Sequence, residues 1–232
     1  MNIKIIGLGG IGSILSEIIS RNINYLRLDN PGEGKNITLI DGDEYEVKNA
    51  ERQNFLELGN KAEIRKKELE IRFREISFEF ISAYVDENII SKMIGNGDII
   101  LLGVDNHKTR KLVSDYCTTL QDVTLISGGN EYTDGNVQLY ARKGGEDLTP
   151  SLTDYHAEIE NPSDKLPTEM SCEELLHSEP QLYFTNATVA VLMCQMFYYY
   201  VIKNNYHFSE VYFDMTIMST SAKHRKTKTR SK

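Results

Sequence analysis

Asp41-Gly42-Asp43, followed closely by Asn49, Arg52 and Gln53, concentrates acid, amide and guanidinium groups in one short loop after a predicted strand. A carboxylate at the end of such a strand can accept both hydroxyls of an adenosine ribose. Cationic and amide groups just downstream suit phosphate oxygens, because charge-assisted hydrogen bonds are the strong ones. Lys61 extends the cationic set. Together these residues suit a triphosphate better than a nicotinamide, and ATP is the expected nucleotide.

The elements that must hold these groups are legible upstream. Ile3-Lys4-Ile5-Ile6 reads as a short buried strand and runs directly into Gly7-Leu8-Gly9-Gly10-Ile11-Gly12-Ser13 and an apolar helical pattern. Glycines at such a strand–turn–helix junction let the backbone approach a phosphate, and the free N–H groups of the helix start attract its charge. In NAD enzymes the ribose acid follows the glycines by about 20 residues. Here a longer insert from Leu26 to Lys35 intervenes, which disfavours an NAD(P)-dependent oxidoreductase but keeps it as the alternative. Further on, the apolar strand Asp98–Leu102 ends in Gly103-Val104-Asp105-Asn106, with Arg110 one turn into the next helix. A carboxylate there is placed for magnesium, which takes few protein carboxylates plus substrate phosphates.

Gly7-x-Gly9-Gly10-x-Gly12-Ser13, Asp41-x-Asp43, Asn49-x-x-Arg52-Gln53, Gly59-x-Lys61-Ala62 and Asp105-Asn106-x-x-x-Arg110 come in order. Together they resemble the ThiF/MoeB/HesA adenylating enzymes, relatives of the ubiquitin-activating enzymes. The family spacing before the lysine is G-x-x-K, one residue longer than Gly59-Asn60-Lys61. The resemblance implies that Asp41 holds the ribose, that Arg52, Gln53 and Lys61 hold the phosphates, and that Asp105 binds magnesium. The implied reaction joins the C-terminal glycine carboxylate of a small ubiquitin-like or sulfur-carrier β-grasp protein to the α-phosphorus of ATP. That chemistry depends on positioning and charge neutralisation more than on a protein base. A non-catalytic scaffold subunit of the same superfamily is a second alternative.

Bland readings stand beside these. Lys61 lies in a strongly charged helical run whose charges are commonly just solvated. Asp43 and Asp105 could serve as turn or N-cap acids, and Asn49 could cap the short turn that carries Arg52. A structural role and a site role are compatible.

Cys117 and Cys194 fall on apolar helices and read as small core residues. Cys172 lies after a polar stretch and at the expected start of a short helix, where the dipole favours thiolate, although Glu169, Glu173 and Glu174 oppose this. In the family resembled, a cysteine on a loop crossing the site often captures the activated glycine, so Cys172 is the expected acceptor. The family's paired Cys-x-x-Cys zinc motifs have no counterpart in this sequence, and zinc is not expected. The N-terminal helical segment that lends an arginine to a partner's site is not evident either. Either another arginine, Arg110 or Arg142, fills in or the site is less efficient, and a homodimer rests on the resemblance alone.

With 26 basic and 34 acidic residues among 232, the net charge of −8 argues against nucleic-acid binding through a broad basic face. The apolar run Ala187–Ile202, interrupted by Gln195, reads as a buried helix rather than a membrane span. No secretory signal is visible and the odd, widely spaced cysteines suit a reducing cytoplasm.

The expected fold is an α/β, Rossmann-like doubly wound sheet, parallel in its N-terminal half with antiparallel strands added in the C-terminal half. Strands are expected near 2–6, 36–41, 77–81, 98–103 and 123–127, and helices near 10–24, 59–75, 87–95 and 106–119. Residues 136–142 and 210–218 alternate like antiparallel partners. Residues 1–222 form one expected domain with a mobile crossover loop near 144–170, and 223–232 form a basic disordered tail. The sequence names neither the protein substrate nor a conjugating-enzyme partner.

Overall fold

Ile3, Ile5 and Ile6 fill β1, Asn2–Ile6, with side chains that are almost completely buried, as expected of a central parallel strand covered on both faces. The structure is a computed structural model that describes residues 1–25, 34–47, 49, 55–170, 181–205 and 207–228. Helix α1, Gly10–Tyr25, returns the chain to β2, Asn36–Ile40, which pairs parallel to β1 from Asn2↔Asn36 to Ile6↔Ile40. A small ladder of β3, Glu44–Tyr45, and β4, Gly59–Asn60, precedes α2, Lys61–Arg72. Then follow β5, Ser77–Ile81, the single turn α3, Ile90–Met93, β6, Ile99–Leu102, and α4, His107–Cys117.

Strand β7, Val123–Asn130, is the last parallel strand, and β8, Asp134–Lys143, turns back against it. A short β9, Glu146–Asp147, pairs with β8 and leads through α5, Ala157–Glu160, to α6, Tyr183–Phe197. The chain closes with β10, Glu210–Asp214, and β11, Ser219–Lys223. The main sheet runs β11-β10-β8-β7-β6-β1-β2-β5. Its order reverses at β1, where β2 and β6 flank it, and this is the crevice in which doubly wound sheets bind ligands.

Alternating strand residues feed two cores. Ile3, Ile5, Ile37 and Leu39 pack with α1, α2 and α6, while Ile6, Ile40, Ile100 and Leu102 pack with α3, α4 and α5. Cys194 and Cys117 are buried, one in each core. Among the described residues no helix is long and apolar enough to cross a membrane.

Three local differences from the sequence reading have physical causes. The helix expected at 87–95 is cut to one turn, because Asp86 accepts from Asn88 N and Ile89 N before it and Gly95 and Gly97 follow it. The strand expected to reach Met218 stops at Asp214, whose carboxylate turns the chain by accepting from Thr216 N at 2.8 Å; Met218 then takes a φ of 51°. The tail expected to be disordered from Lys223 is anchored through Lys228. Lys223 pairs with Glu210, Arg225 Nε donates to Glu210 Oε2 at 2.9 Å, and Tyr155 Oη donates to Lys226 O at 2.8 Å.

Candidate active site

The C-terminal ends of β1, β2 and β6 meet around the glycine turn. Gly7 N donates to Ile40 O at 3.0 Å and Gly103 N to Ile6 O at 2.9 Å, so the three strand ends are locked together. Gly7 has a φ of +83°, and a Cβ on Gly12 would lie 1.8 Å from Gly7 O, so the turn tolerates no side chain at either place. A Cβ on Gly9 would meet nothing within 4 Å, which leaves open space beside that backbone. At Gly10 the space is filled from elsewhere: a Cβ would fall 2.2 Å from Asn186 Nδ2 of α6. Nothing in the local sequence signals Asn186, since only the packing of α6 on α1 brings it there.

Asp41 leaves β2 buried and pointing at this turn. Its Oδ2 accepts from Leu8 N at 2.5 Å and its Oδ1 from Asp43 N at 2.8 Å. Burial pushes its pKa up to about 6; Lys61 pulls it back, Asp43 adds to the rise, and the two backbone N–H groups favour the charge. Each carboxylate oxygen has a second lone pair, so both can still accept a ribose hydroxyl.

Asp43 is the next group along, half-exposed. Its Oδ2 accepts from Lys61 Nζ at 2.9 Å, and its Oδ1 accepts a short bond from Tyr84 Oη. Lys61, far from being a solvated charge of its run, is buried at 7 % exposure. Asn60, not singled out in the sequence, organises this corner. Its Nδ2 donates to Asp41 O and Asp43 O, each at 3.0 Å, and its Oδ1 caps α2 at Ala62 N and Glu63 N. Its position before the helical pattern was the available signal. Burial and the Asp43 bond raise the pKa of Tyr84 and keep the phenol protonated.

Asp105 follows β6 and is exposed, and its charge, like those of Asp41 and Asp43, acts on the Tyr84 phenol. The cap of α4 comes from Asn106, whose Oδ1 accepts from Thr109 N at 2.7 Å, and from Asp164, which accepts from His107 N and Lys108 N at 2.5 and 3.0 Å. The capping expected of Asp105 therefore falls to its neighbours, leaving Asp105 facing solvent. An exposed carboxylate at the end of a strand fits a hydrated magnesium ion that shares its shell with phosphates.

Asn49 is buried and closes a local turn, accepting from Glu46 N through Oδ1 at 2.8 Å. Arg110 and Arg142 are both committed elsewhere. Arg110 donates to Val104 O and Gly128 O, and Arg142 pairs with Asp147 and donates to Leu120 O. Both guanidinium groups are thus engaged with backbone carbonyls or a carboxylate. Arg65, four residues on from Lys61 in the same charged run of α2, is buried, donating to Ser13 O at 2.7 Å, Ser16 Oγ at 2.9 Å and Glu68 at 2.6 Å. It braces α1 behind the glycine turn. Arg52, Gln53 and Cys172 lie outside the described residues.

The profile of the ThiF family matches residues 1–232. The molybdopterin-synthase adenylyltransferase of Haemophilus influenzae is 32 % identical over 155 residues, covering 65 % of this chain and 58 % of that protein. Among solved structures, E. coli MccB with succinimide aligns at a TM-score of 0.72 and 21 % identity, covering 96 % of this chain and 63 % of that one. E. coli MccB with ATP aligns at 0.70 and 21 %, with the same coverages. The chain thus spans about three fifths of the length of these relatives, and the structural matches establish the shared fold.

Proposed function

We infer the reaction from the premise that this chain belongs to the ThiF family. The chain binds ATP with magnesium and adenylates a C-terminal carboxylate, the acceptor being the C-terminal glycine of a small ubiquitin-like or sulfur-carrier β-grasp protein. The observation that carries this reading is the convergence of the glycine turn, the buried Asp41 and the Asp43–Lys61 pair on one sheet crevice. The relative named as a molybdopterin-synthase adenylyltransferase supports the same reaction type.

In this reading Asp41 accepts the ribose hydroxyls and the open backbone at Gly9 faces the phosphates. Lys61 leaves Asp43 for a phosphate oxygen, and Arg52 and Gln53 extend that contact. Asp105 would hold magnesium, which when bound neutralises phosphate charge and orients the leaving group. An acceptor carboxylate oxygen forms a bond to the α-phosphorus as the bond from that phosphorus to the bridging oxygen breaks. The products are an acyl-adenylate and pyrophosphate, and the site supplies positioning and charge rather than a base. Cys172 is proposed to take the acyl group as a thioester, its sulfur bonding to the acyl carbon as AMP leaves and the thiol proton passes to solvent, and the enzyme to act as a homodimer in the cytoplasm, handing its product to sulfur transfer or to a conjugating enzyme.

ATP–pyrophosphate exchange with candidate β-grasp proteins ending in glycine tests the reading. Exchange that requires both the partner and Asp105 is expected. ATP binding without exchange for any carboxylate partner would favour a scaffold subunit instead.

A further inference from the structure

His156 is buried at 7 % exposure in the segment between β9 and α6, and both of its ring nitrogens face carboxylates. Nδ1 lies 2.8 Å from Glu158 Oε1 and Nε2 lies 3.2 Å from Glu210 Oε1. A neutral imidazole donates from one nitrogen only, so this double contact is satisfied only by the imidazolium. Around it, Tyr212 Oη donates to Glu210 Oε2 at 2.9 Å and lies 3.3 Å from His156 Nε2, and Arg225 Nε donates to Glu210 Oε2 at 2.9 Å. Lys223 sits over the Tyr212 ring at 4.5 Å, and the charge of His107 on α4 bears on Glu158. The cluster joins the crossover segment, β10 and the C-terminal segment.

The same crossover segment reaches the candidate site. Eight residues on, Asp164 caps α4 through His107 N and Lys108 N, directly after Asp105 and Asn106, and Glu169 pairs with Lys108 at 2.6 Å. Beside the site the segment is held by backbone N–H groups that do not titrate; at its other end a histidine that does titrate adds to the buried Leu152 and Ile159, the bond from Leu152 N to Ser114 Oγ and the bond from Tyr155 Oη to Lys226 O.

We propose that His156 is a proton-operated latch: protonated, it ties residues 152–162 to Glu210 of β10, and on losing its proton it gives up that tie and loosens this end of the segment while Asp164 keeps the other tied beside the site. Glu210 retains Arg225 when the ring is neutral, Tyr212 Oη stands 3.3 Å from Nε2 and can donate to it, and Nδ1 keeps the shorter contact, 2.8 Å, to Glu158. The contact that opens is accordingly the one from Nε2 to Glu210, which joins the segment to β10. Burial alone would lower the pKa of His156, but the hydrogen bonds to Glu210 and Glu158 outweigh it and raise it. The latch is thus closed at and below the ordinary histidine range near 6.5 and opens as pH rises through the raised value.

Hydrogen–deuterium exchange on the whole chain without nucleotide tests this, with protection at each pH corrected for the intrinsic exchange rate and the His156 ring followed in parallel by NMR. Protection of 152–162 should fall roughly tenfold, the loss of one charged hydrogen bond, with a midpoint matching the ring titration. The His156→Gln protein should show the lower protection at every pH. Protection that stays flat while the ring titrates, or a His156→Gln protein that keeps the parental pH dependence, would overturn the latch. Should that variant fold poorly, the coincidence or mismatch of the two midpoints in the parent decides. No step of this test depends on the adenylation reading.

Discussion

Lys61 is tied to Asp43 twice, through its backbone N–H to Asp43 O at 2.9 Å and through Nζ to Asp43 Oδ2 at 2.9 Å. The backbone bond fixes the start of α2 against the acid loop, while the side-chain bond leaves the ammonium parked beside a half-exposed carboxylate. Replacing Lys61 by Met keeps the first bond and removes the second. The expected result is a folded protein whose pyrophosphate exchange falls about 10²–10³-fold, as for loss of one preorganised charge stabiliser. Retention of parental exchange with a normal melting curve would remove Lys61 from the site.

Asp41 makes a pH dependence of known sign. Its folded pKa of about 6 lies above the ordinary aspartate value, so between about pH 4 and 6 the folded chain binds more protons than the unfolded one. Stability contributed by the protonated form is therefore lost as pH rises through about 6, by roughly 3 kcal/mol for a shift of about two pH units. Nucleotide affinity should run the other way, weakening as pH falls through about 6 because a protonated Asp41 loses part of its capacity to accept ribose hydroxyls. Denaturant midpoints and ATP titrations from pH 4 to 8 measure both, and trends of the same sign would contradict the assignment.

Asp105 separates activity from stability. It is exposed, and the cap of α4 rests on Asn106 and Asp164. Asp105→Ala should therefore change stability by no more than about 0.5 kcal/mol while removing magnesium-dependent exchange. Asn106→Ala should do the reverse to stability, costing about 1 kcal/mol through the lost cap. Chemical denaturation of the two variants side by side would expose an error if their stabilities moved together.

The fold was largely readable because its signals are local. β1, β2 and β6 are short apolar runs that end in glycines or acids, and α1 and α4 begin with recognisable turn and cap residues. Asp41, Asp43, Lys61 and Asp105 were legible for the same reason, each sitting at a strand or helix end. What escaped depends on contacts between distant segments. The burial of Arg65 against Ser13 and Ser16, the capping of α4 by Asp164 and the clamp on His156 each join residues about 50 or more positions apart. A charge within a charged run carries no mark of whether another helix will cover it. The β10–β11 hairpin escaped because its turn is set by Asp214 and a left-handed Met218 rather than by the usual glycine or asparagine.

Gly10 and Asn186 offer a coupling test of the packing behind the glycine turn. The Asn186 amide is fully buried, and neither Nδ2 nor Oδ1 has a hydrogen-bond partner among the described residues. Gly10→Ala would gain helix propensity of about 1 kcal/mol but would drive its Cβ to 2.2 Å from Nδ2, an overpacking cost of about 1–3 kcal/mol. Asn186→Ala removes an amide that satisfies nothing and opens the same space. The double variant should accordingly be more stable than Gly10→Ala alone by about 1 kcal/mol or more, a coupling of the size found between residues in contact. Urea denaturation of the four proteins closes the cycle. Strict additivity would mean that the α1–α6 contact is not where the clash arises, and the requirement for glycine at position 10 would then have to lie with the ligand rather than with the fold.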